Sequence, residues 1–586
     1  MSNLSNFQEL IASKGYTCYI VPTSDSHNSE YVSDYFKARA YLSGFTGSAG
    51  ILVVFPDSAY LWTDGRYFIQ AEHQLEGSGI TLMKAGTKDT PKISTFLRDR
   101  LNDNDVVGFD GTLLTANYVE NLLSSINKKI VLKSNEDLVN KVWKDRPSLP
   151  FSLLFKLDTF FSGKSTKDKI NDLRLKMKEY NANTHILSSL TDIAWLFNLR
   201  GNDIEYTPVF LSYAVITLDQ VYLFIDQAKL NIEVQKYLDE NDIIVKDYND
   251  FYDFINTLKN KQILIDKDEI NYKTYSIINN NNNKLINEPN PTSYSKAIKN
   301  ETEIKNIKDA HLKDARAMVR FMNWLYKELY SAIPLNELSI QDKLDGFRAA
   351  EEGFVELSFS TICGFKEHGA IVHYSSSKET NIEVTGNGLL LIDSGGHYLE
   401  GTTDITRTFA IGKVNDQAKT AFTNVLKSHI ALAEAVFPSG ITHKELDTIS
   451  RMPLWKTYQD YRHGTGHGVG YLLSVHEGPN TSRATMPITV GTITTDEPGL
   501  YIENKFGVRI ESELLCVKKE STEYGDFLGF ENLTYVPIDI NAIKPSLLTK
   551  FEKEWLNNYH KNIYEKLSPM LNKEEQEFLK KITEAI

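Results

Sequence analysis

Cysteine is scarce: three residues, Cys18, Cys363 and Cys516, in a chain of 586. They lie far apart in apolar surroundings and no CxxC occurs, which excludes a disulfide framework and fits a reducing compartment. No apolar run approaches the roughly 20 residues that a bilayer crossing needs. Residues 1–7 lack a basic stretch followed by an apolar core, so no secretory signal is read and a cytoplasmic location is expected. Positive charge is also short, with 64 Lys and Arg against 77 Asp and Glu, a net charge of −13. Binders of a phosphate backbone carry basic patches, so neither nucleic acid nor a membrane is an expected partner. What remains is an ordinary globular composition, 41% hydrophobic and 24% charged. The chain is long enough for roughly two to four domains.

Residues 1–146 alternate short apolar strands with helices. Strands are read at 19–21, 50–55, 59–62 and 106–109, and a helix opening at 91–97, where Pro91 suits a first turn. Two loops stand out, GFTGSAG at 44–50 and WTDGRYF at 62–68. Residues 145–150, with Pro147 and Pro150, read as a linker into a second α/β segment, 147–296. There, GKST at 163–166 resembles the end of a phosphate-binding loop. Asp158 stands where the partner glycine belongs, however, so a helix start capped by Ser165 or Thr166 is expected. A helix at 167–181, a segment at 184–190, a hairpin of 213–218 with 221–225, a helix at 230–238 and strands at 243–245 and 263–265 follow. Two successive units of similar size and alternation suggest duplication, without a residue-level repeat. The asparagine run 279–283 reads as a loop or local disorder.

The third region, 297–586, opens on a helix from 301 to about 330. Its apolar stripe is Ile304, Ile307, His311, Ala315, Met318, Met322 and Leu325. A second helix is expected over 416–437, stopped by Pro438. His311 and His429 on these helices read as core residues.

Chemistry collects in this region. LLLIDSGG at 389–396 drives a β-prone run into Asp393, and residues 400–407 return as a second strand carrying Asp404, with a turn near Glu400-Gly401 and room for a bulge at Gly395-Gly396. Two solvated aspartates on a plain hairpin would explain this stretch alone. Three further polar clusters weigh against that: HGTGHGVG at 463–470 with HEGP at 476–479, TTDEPG at 494–499, and GVRIES at 507–512. Val469 breaks a dinucleotide fingerprint, and no G-x-S-x-G elbow exists. Asp393, Asp404, His467, Glu497 and Glu511 make one set of four carboxylates and an imidazole. Two divalent cations would cancel its four negative charges, and such oxygen-rich ligation suits manganese, with cobalt or zinc as substitutes.

Those five residues match, in order, the metal ligands of the pita-bread metallopeptidases, the family of methionine aminopeptidases, prolidases and aminopeptidase P. Residues 44–50, 62–67, 463–470 and WLNNYH at 555–560 resemble the long, three-domain cytosolic branch that removes an N-terminal residue preceding proline. The resemblance covers nearly the whole chain, the middle domain matching mainly by position and pattern. It implies an α/β protein with an α+β catalytic domain: creatinase-like domains at 1–146 and 147–296, then a pita-bread domain with a C-terminal extension at 297–586. It also implies that Asp393 binds one ion and His467 and Glu497 the other, with Asp404 and Glu511 bridging. A hydroxide shared by two ions about 3.5 Å apart would attack the scissile carbonyl. His373, His463 and His476 would bind peptide or stabilise the tetrahedral intermediate, and Arg509 would brace a ligand from behind. Arg66 would contact substrate, with an ordinary ion pair as the open alternative. The expected partners are peptides with proline second and, in a homodimer, a second copy of the chain. A prolidase limited to dipeptides is the rival reading. A non-catalytic pita-bread binding module ranks lower, since such members have lost ligands that are intact here.

Overall fold

The computed structural model describes residues 2–329, 334–481 and 486–586. The chain divides into two compact units, Met1–Asp158 with Lys164–Ser293, and Thr159–Gly163 with Tyr294–Ile586.

The first unit holds two six-stranded sheets of the same topology. In one, Ile80–Lys84, Ala59–Thr63, Ile51–Val54, Cys18–Pro22, Val106–Phe109 and Val131–Lys133 lie side by side. In the other the order is Ile243–Lys246, Val221–Ile225, Ser212–Thr217, Thr184–Leu187, Gln262–Ile265 and Lys284–Asn287. Each sheet has two antiparallel pairings at its centre, flanked by parallel pairings. The duplication expected from strand–helix alternation is therefore one of topology. Equivalent caps meet: Thr115, which caps Ala116–Ile126, bridges to Asn271, which caps Tyr272–Asn280.

One local expectation needs correction here. The helix expected to open at Pro91 begins at Ile93, after an extended Lys92. The segment at 184–190 forms a strand, Thr184–Leu187, and then the start of a helix at Leu190. Of the two readings of the asparagine run, the loop holds: Asn279 and Asn280 end the helix Tyr272–Asn280, and Asn281, Asn282 and Asn283 lead into the strand Lys284–Asn287. Asn283 donates from its amide to Leu258 and Ile278 carbonyls at 2.9 Å and accepts from the Lys261 N–H, while Asn282 takes a positive φ of 57°. Ser165 does cap a helix, accepting from the Asp168 N–H.

In the second unit, helices Glu301–Glu328, Asp416–Ala433 and Lys550–Leu567 share one large core with the strands Gly388–Ser394 and Ile405–Ile411. Leu389 to Ile392 are each at most 2% exposed; burying each such side chain contributes about 1.5–3 kcal/mol. The expected end of the first helix near Tyr330 lies outside the described residues. The second ends at Ala433 rather than Phe437, because Phe437–Pro438 pair as an edge strand with Leu528 and Phe527. Strand Gly388–Ser394 lies between Ile362–Phe365 and Ile405–Ile411, and a separate sheet carries Ile493–Asp496, Ser512–Thr522 and Gly525–Asn532. Among the described residues, no helix is long and apolar enough to cross a membrane. All three cysteines are buried and free.

Candidate metal centre

The strand pair that opens the site is not a plain hairpin. Gly388–Ser394 and Ile405–Ile411 pair with Asp393 opposite Thr406, but Asp404 stands just before its strand rather than on it. Between them the chain leaves for a second sheet, as Gly396–Tyr398 and Gly401–Thr402. Gly395 makes the exit possible: a Cβ there would sit 2.0 Å from the Thr403 carbonyl oxygen. The expected turn at Glu400-Gly401 thus closes a small second hairpin, and the departure at Gly395 leaves Asp404 free to face Asp393.

Thr406 ties in the third carboxylate. The Glu511 N–H donates to the Thr406 carbonyl at 3.1 Å, and the Thr406 hydroxyl donates to Glu511 Oε2 at 2.7 Å. Asp404 is fixed through its own N–H, which donates to Glu513 Oε1 at 2.8 Å. On the opposite side, the His467 N–H donates to Thr495 Oγ1 and the Glu497 N–H to the Thr465 carbonyl. Gly466 permits this approach, since a Cβ there would lie 1.9 Å from the Thr495 carbonyl oxygen.

The result is three overlapping donor groups, the candidate ligand atoms of each lying within 4.8 Å of one another. Asp393, Asp404 and Glu511 form one; His467, Glu497 and Glu511 form a second; Asp404, His467 and His476 form a third. His467 Nε2 stands 3.4 Å from Asp404 Oδ2 and 3.5 Å from Glu497 Oε1, with the His476 ring 4.3 Å from its own.

The donors fit divalent cations on two counts. Four carboxylates crowd together with Arg509 as the guanidinium among them. Burial first, then the neighbouring carboxylates, push Asp404 and Glu511 well above the ordinary carboxylate range. Burial lifts Glu497 to about 7. The second count is an orphan: buried Asp393 Oδ1 has no hydrogen-bond partner, while Oδ2 accepts from Arg509 at 2.6 Å. A cluster so short of positive charge, with an acceptor aimed inward and unused, is suited to hard cations.

Sequence matches follow the same division. The sequence profile described as the Creatinase/Prolidase N-terminal domain matches residues 3–142 and again 145–303. Residues 305–518, which carry every donor named above, match Metallopeptidase family M24, and residues 526–586 match the C-terminal region of that peptidase group. The chain belongs to metallopeptidase family M24. A relative from Laccaria bicolor, named a probable Xaa-Pro aminopeptidase P, is 41% identical over 97% of this chain and 90% of its own length. The X-prolyl aminopeptidase of Caenorhabditis elegans, described as a cytosolic enzyme with a di-nuclear active site, overlays all of this chain with 98% of its own. Its TM-score is 0.95 at 34% identity. A prolidase from Pyrococcus horikoshii, at 22% identity and TM-score 0.50 over 64% of this chain, shares the fold.

In this M24 chain the other expected residues are placed as follows. His463 Nε2 meets the Tyr501 hydroxyl at 2.8 Å and Nδ1 the Gly464 carbonyl at 2.7 Å; burial pushes its pKa down to about 3. Because Nδ1 must donate to that carbonyl, Nε2 accepts from Tyr501. Arg509 donates to the Tyr501 hydroxyl at 2.7 Å as well as to Asp393 and Thr406, so one chain runs from Asp393 through Arg509 and Tyr501 to His463. His373 is half-buried in the segment after Ile362–Phe365. Arg66 lies in the first unit, where its guanidinium grips Asp64 at 2.8 and 2.9 Å. His311 is a core residue 3.3 Å from Glu513, and His429 pairs with Asp496 at 3.0 Å.

Tyr501 and Glu513 escape the sequence reading. Tyr501 carries a signal of period two, standing two residues after Gly499 on the strand Gly499–Ile502, whereas Glu513 lies on a strand that begins only after Glu511.

Proposed function

We infer that this M24 peptidase is an Xaa-Pro aminopeptidase, releasing the N-terminal residue from peptides whose second residue is proline. The extent of the likeness carries the reading. An enzyme named X-prolyl aminopeptidase overlays the entire chain, both N-terminal sheets included, whereas the prolidase overlay stops at 64%. Asp393, Asp404, His467, Glu497 and Glu511 would hold two divalent ions. Manganese is the ion proposed, since four carboxylates and one imidazole favour a hard-to-borderline cation. When bound, such ions supply Lewis acidity, making water nucleophilic near neutral pH and polarising the scissile carbonyl.

The protein's own groups do the rest. Arg509 holds Asp393 from behind and polarises Tyr501, whose hydroxyl fixes the His463 ring with its proton on Nδ1. His373 and His476 are proposed to hold the peptide and to stabilise the charge developing on its carbonyl oxygen, and His463, whose ring nitrogens are engaged by Gly464 and Tyr501, to hold the peptide. Arg66, beyond its pair with Asp64, is proposed to contact substrate. His463→Ala is expected to retain its metal by elemental analysis while kcat falls about 10²-fold, the scale of a displaced substrate-positioning group. Loss of metal instead would reassign His463 as a ligand.

Domain limits at 146/147 and 296/297, a cytoplasmic location and a homodimer belong to the same reading. Met452, Trp455 and Tyr458, exposed by 49%, 44% and 100%, offer an apolar face for a second copy. Light scattering tests the dimer.

Substrate length separates the reading from its rival. Proline nitrogen has no N–H and its φ is fixed, so either enzyme needs a site that does not seek that donor. A prolidase must also capture the free proline carboxylate, which an aminopeptidase must leave open for the continuing chain. Xaa-Pro-Yaa tripeptides are expected to be cleaved efficiently and Xaa-Pro dipeptides poorly, as read by chromatography at matched manganese. Equal or faster dipeptide cleavage would make the enzyme a prolidase.

A further inference from the structure

We propose that Glu337 is a positioning residue for His373, acting by clamping the segment that carries it. The proposal rests on the reading of His373 as a substrate-contacting histidine.

That segment joins strands Ile362–Phe365 and Gly388–Ser394. Beyond a short 3-10 turn, Lys366–Ala370, it contains no helix or strand, and His373 lies near its middle. A chain this long with so little regular structure needs anchors from elsewhere to hold one conformation. Glu337, the first residue of helix Glu337–Ala349, is one: its side chain is fully buried.

Both of its oxygens are engaged by the segment and by the strand residue that leads into it. Oε1 accepts from the Phe365 N–H at 2.8 Å and from His368 Nδ1 at 2.9 Å. Oε2 accepts from the Tyr374 hydroxyl at 2.9 Å and from the Ile382 N–H at 3.3 Å. The Glu337 N–H in turn donates to the Ile382 carbonyl at 3.2 Å. One carboxylate thus ties the entry of the segment, its exit, and the residue next to His373. The His368 ring lies against Tyr374, with centroids 4.4 Å apart, which closes the clamp on itself.

Chemistry explains why a carboxylate stands there. Every neighbour named is a donor, so the position calls for an acceptor at both oxygens. Glutamine keeps the shape but turns one oxygen into an NH2 facing donors, which pushes Tyr374 or Phe365 away. Displacement of about 1 Å at a substrate-positioning group can cost about 10²-fold in rate.

A double-mutant cycle on the metal-loaded enzyme, read as kcat/KM on an Xaa-Pro-Yaa tripeptide, tests this. Glu337→Gln is expected to lose about 10²-fold with metal content retained. In a His373→Ala background the same change should cost less than about 3-fold, because the residue it positions is gone. Equal losses in both backgrounds, or no loss in the first, overturn the proposal. Should Glu337→Gln fail to fold, Tyr374→Phe removes a single bond of the clamp. It should cost about 5-fold, again only where His373 is present; a loss independent of His373 overturns the proposal equally. A harmless His373→Ala would instead sink the assignment of His373 itself, a failure visible in that single variant.

Discussion

Asp404→Ala is expected to abolish metal retention and turnover together while the fold survives. Asp404 is 4% exposed and belongs to two of the three donor groups, lying between Asp393 and His467. Its removal takes a ligand from both proposed ion positions, and the loss of several kcal/mol of charge stabilisation lowers kcat/KM by about 10³-fold or more. The fold survives because Asp404 is held by its backbone N–H on Glu513, which alanine keeps. Without metal, the variant should be at least as stable as the parent, since one of four crowded buried carboxylates is gone. Manganese should raise the melting temperature of the parent, by ligand linkage, and leave that of the variant unmoved. Elemental analysis and a thermal scan with and without manganese check both halves. A variant that kept two metals and near-normal turnover would falsify the site assignment.

Arg407→Ala is expected to cost about 4 kcal/mol of stability or more, among the largest effects of any single change outside the proposed metal ligands. The guanidinium is 1% exposed. It donates to the carbonyls of Thr406, Glu511, Val536 and Pro537, to the Ser512 hydroxyl and to the Tyr559 hydroxyl. None of these partners is a carboxylate, and burial lowers the pKa of the group. Alanine would leave several buried acceptors without donors at about 1–3 kcal/mol each, beside the cavity it opens. Tyr559→Phe removes the bond it accepts from Arg407 together with the hydroxyl's own donation toward the Val536 and Thr534 carbonyls, and should cost about 1–2 kcal/mol. Urea unfolding of the catalytic unit reads both. A loss below about 1 kcal/mol for Arg407→Ala would show that water takes over the guanidinium's bonds. The same residues explain why the C-terminal helix Lys550–Leu567 bears on the site: through Tyr559 and Arg407 it reaches the backbone of Glu511.

Much of this was legible in the residues, and the exceptions share a cause. The run ending in Asp393 reads as a strand because its apolar residues need burial whatever they pair with. The placement of Asp404 does not, because it depends on the chain leaving one sheet at Gly395 for another, a non-local event. The duplicated alternation of the first unit was visible; the identical strand order was not, since strand order is set by pairings between distant residues. Phe437 satisfies helical periodicity yet joins a strand, because residues 527 and 528 offer it backbone partners. Asn281, Asn282 and Asn283 look like low complexity but bond specific groups near 256–261 and 278. Tyr501 and Glu513 are ordinary strand residues in composition, and only their hydrogen bonds to His463, Arg509 and Asp404 set them beside the donor cluster.

The pairing of Asp393 with Thr406 has a bearing on how the protein is made. Side chains alternate across a strand, so a slip of one residue would turn Asp393 to the wrong face and carry Thr406 away from Glu511. A newly synthesised chain in that mispaired state would be compact and hydrogen-bonded yet unable to chelate. Metal uptake during refolding therefore counts correctly registered molecules, and a growth medium depleted of the metal would remove the ligand that favours them over their misaligned competitors.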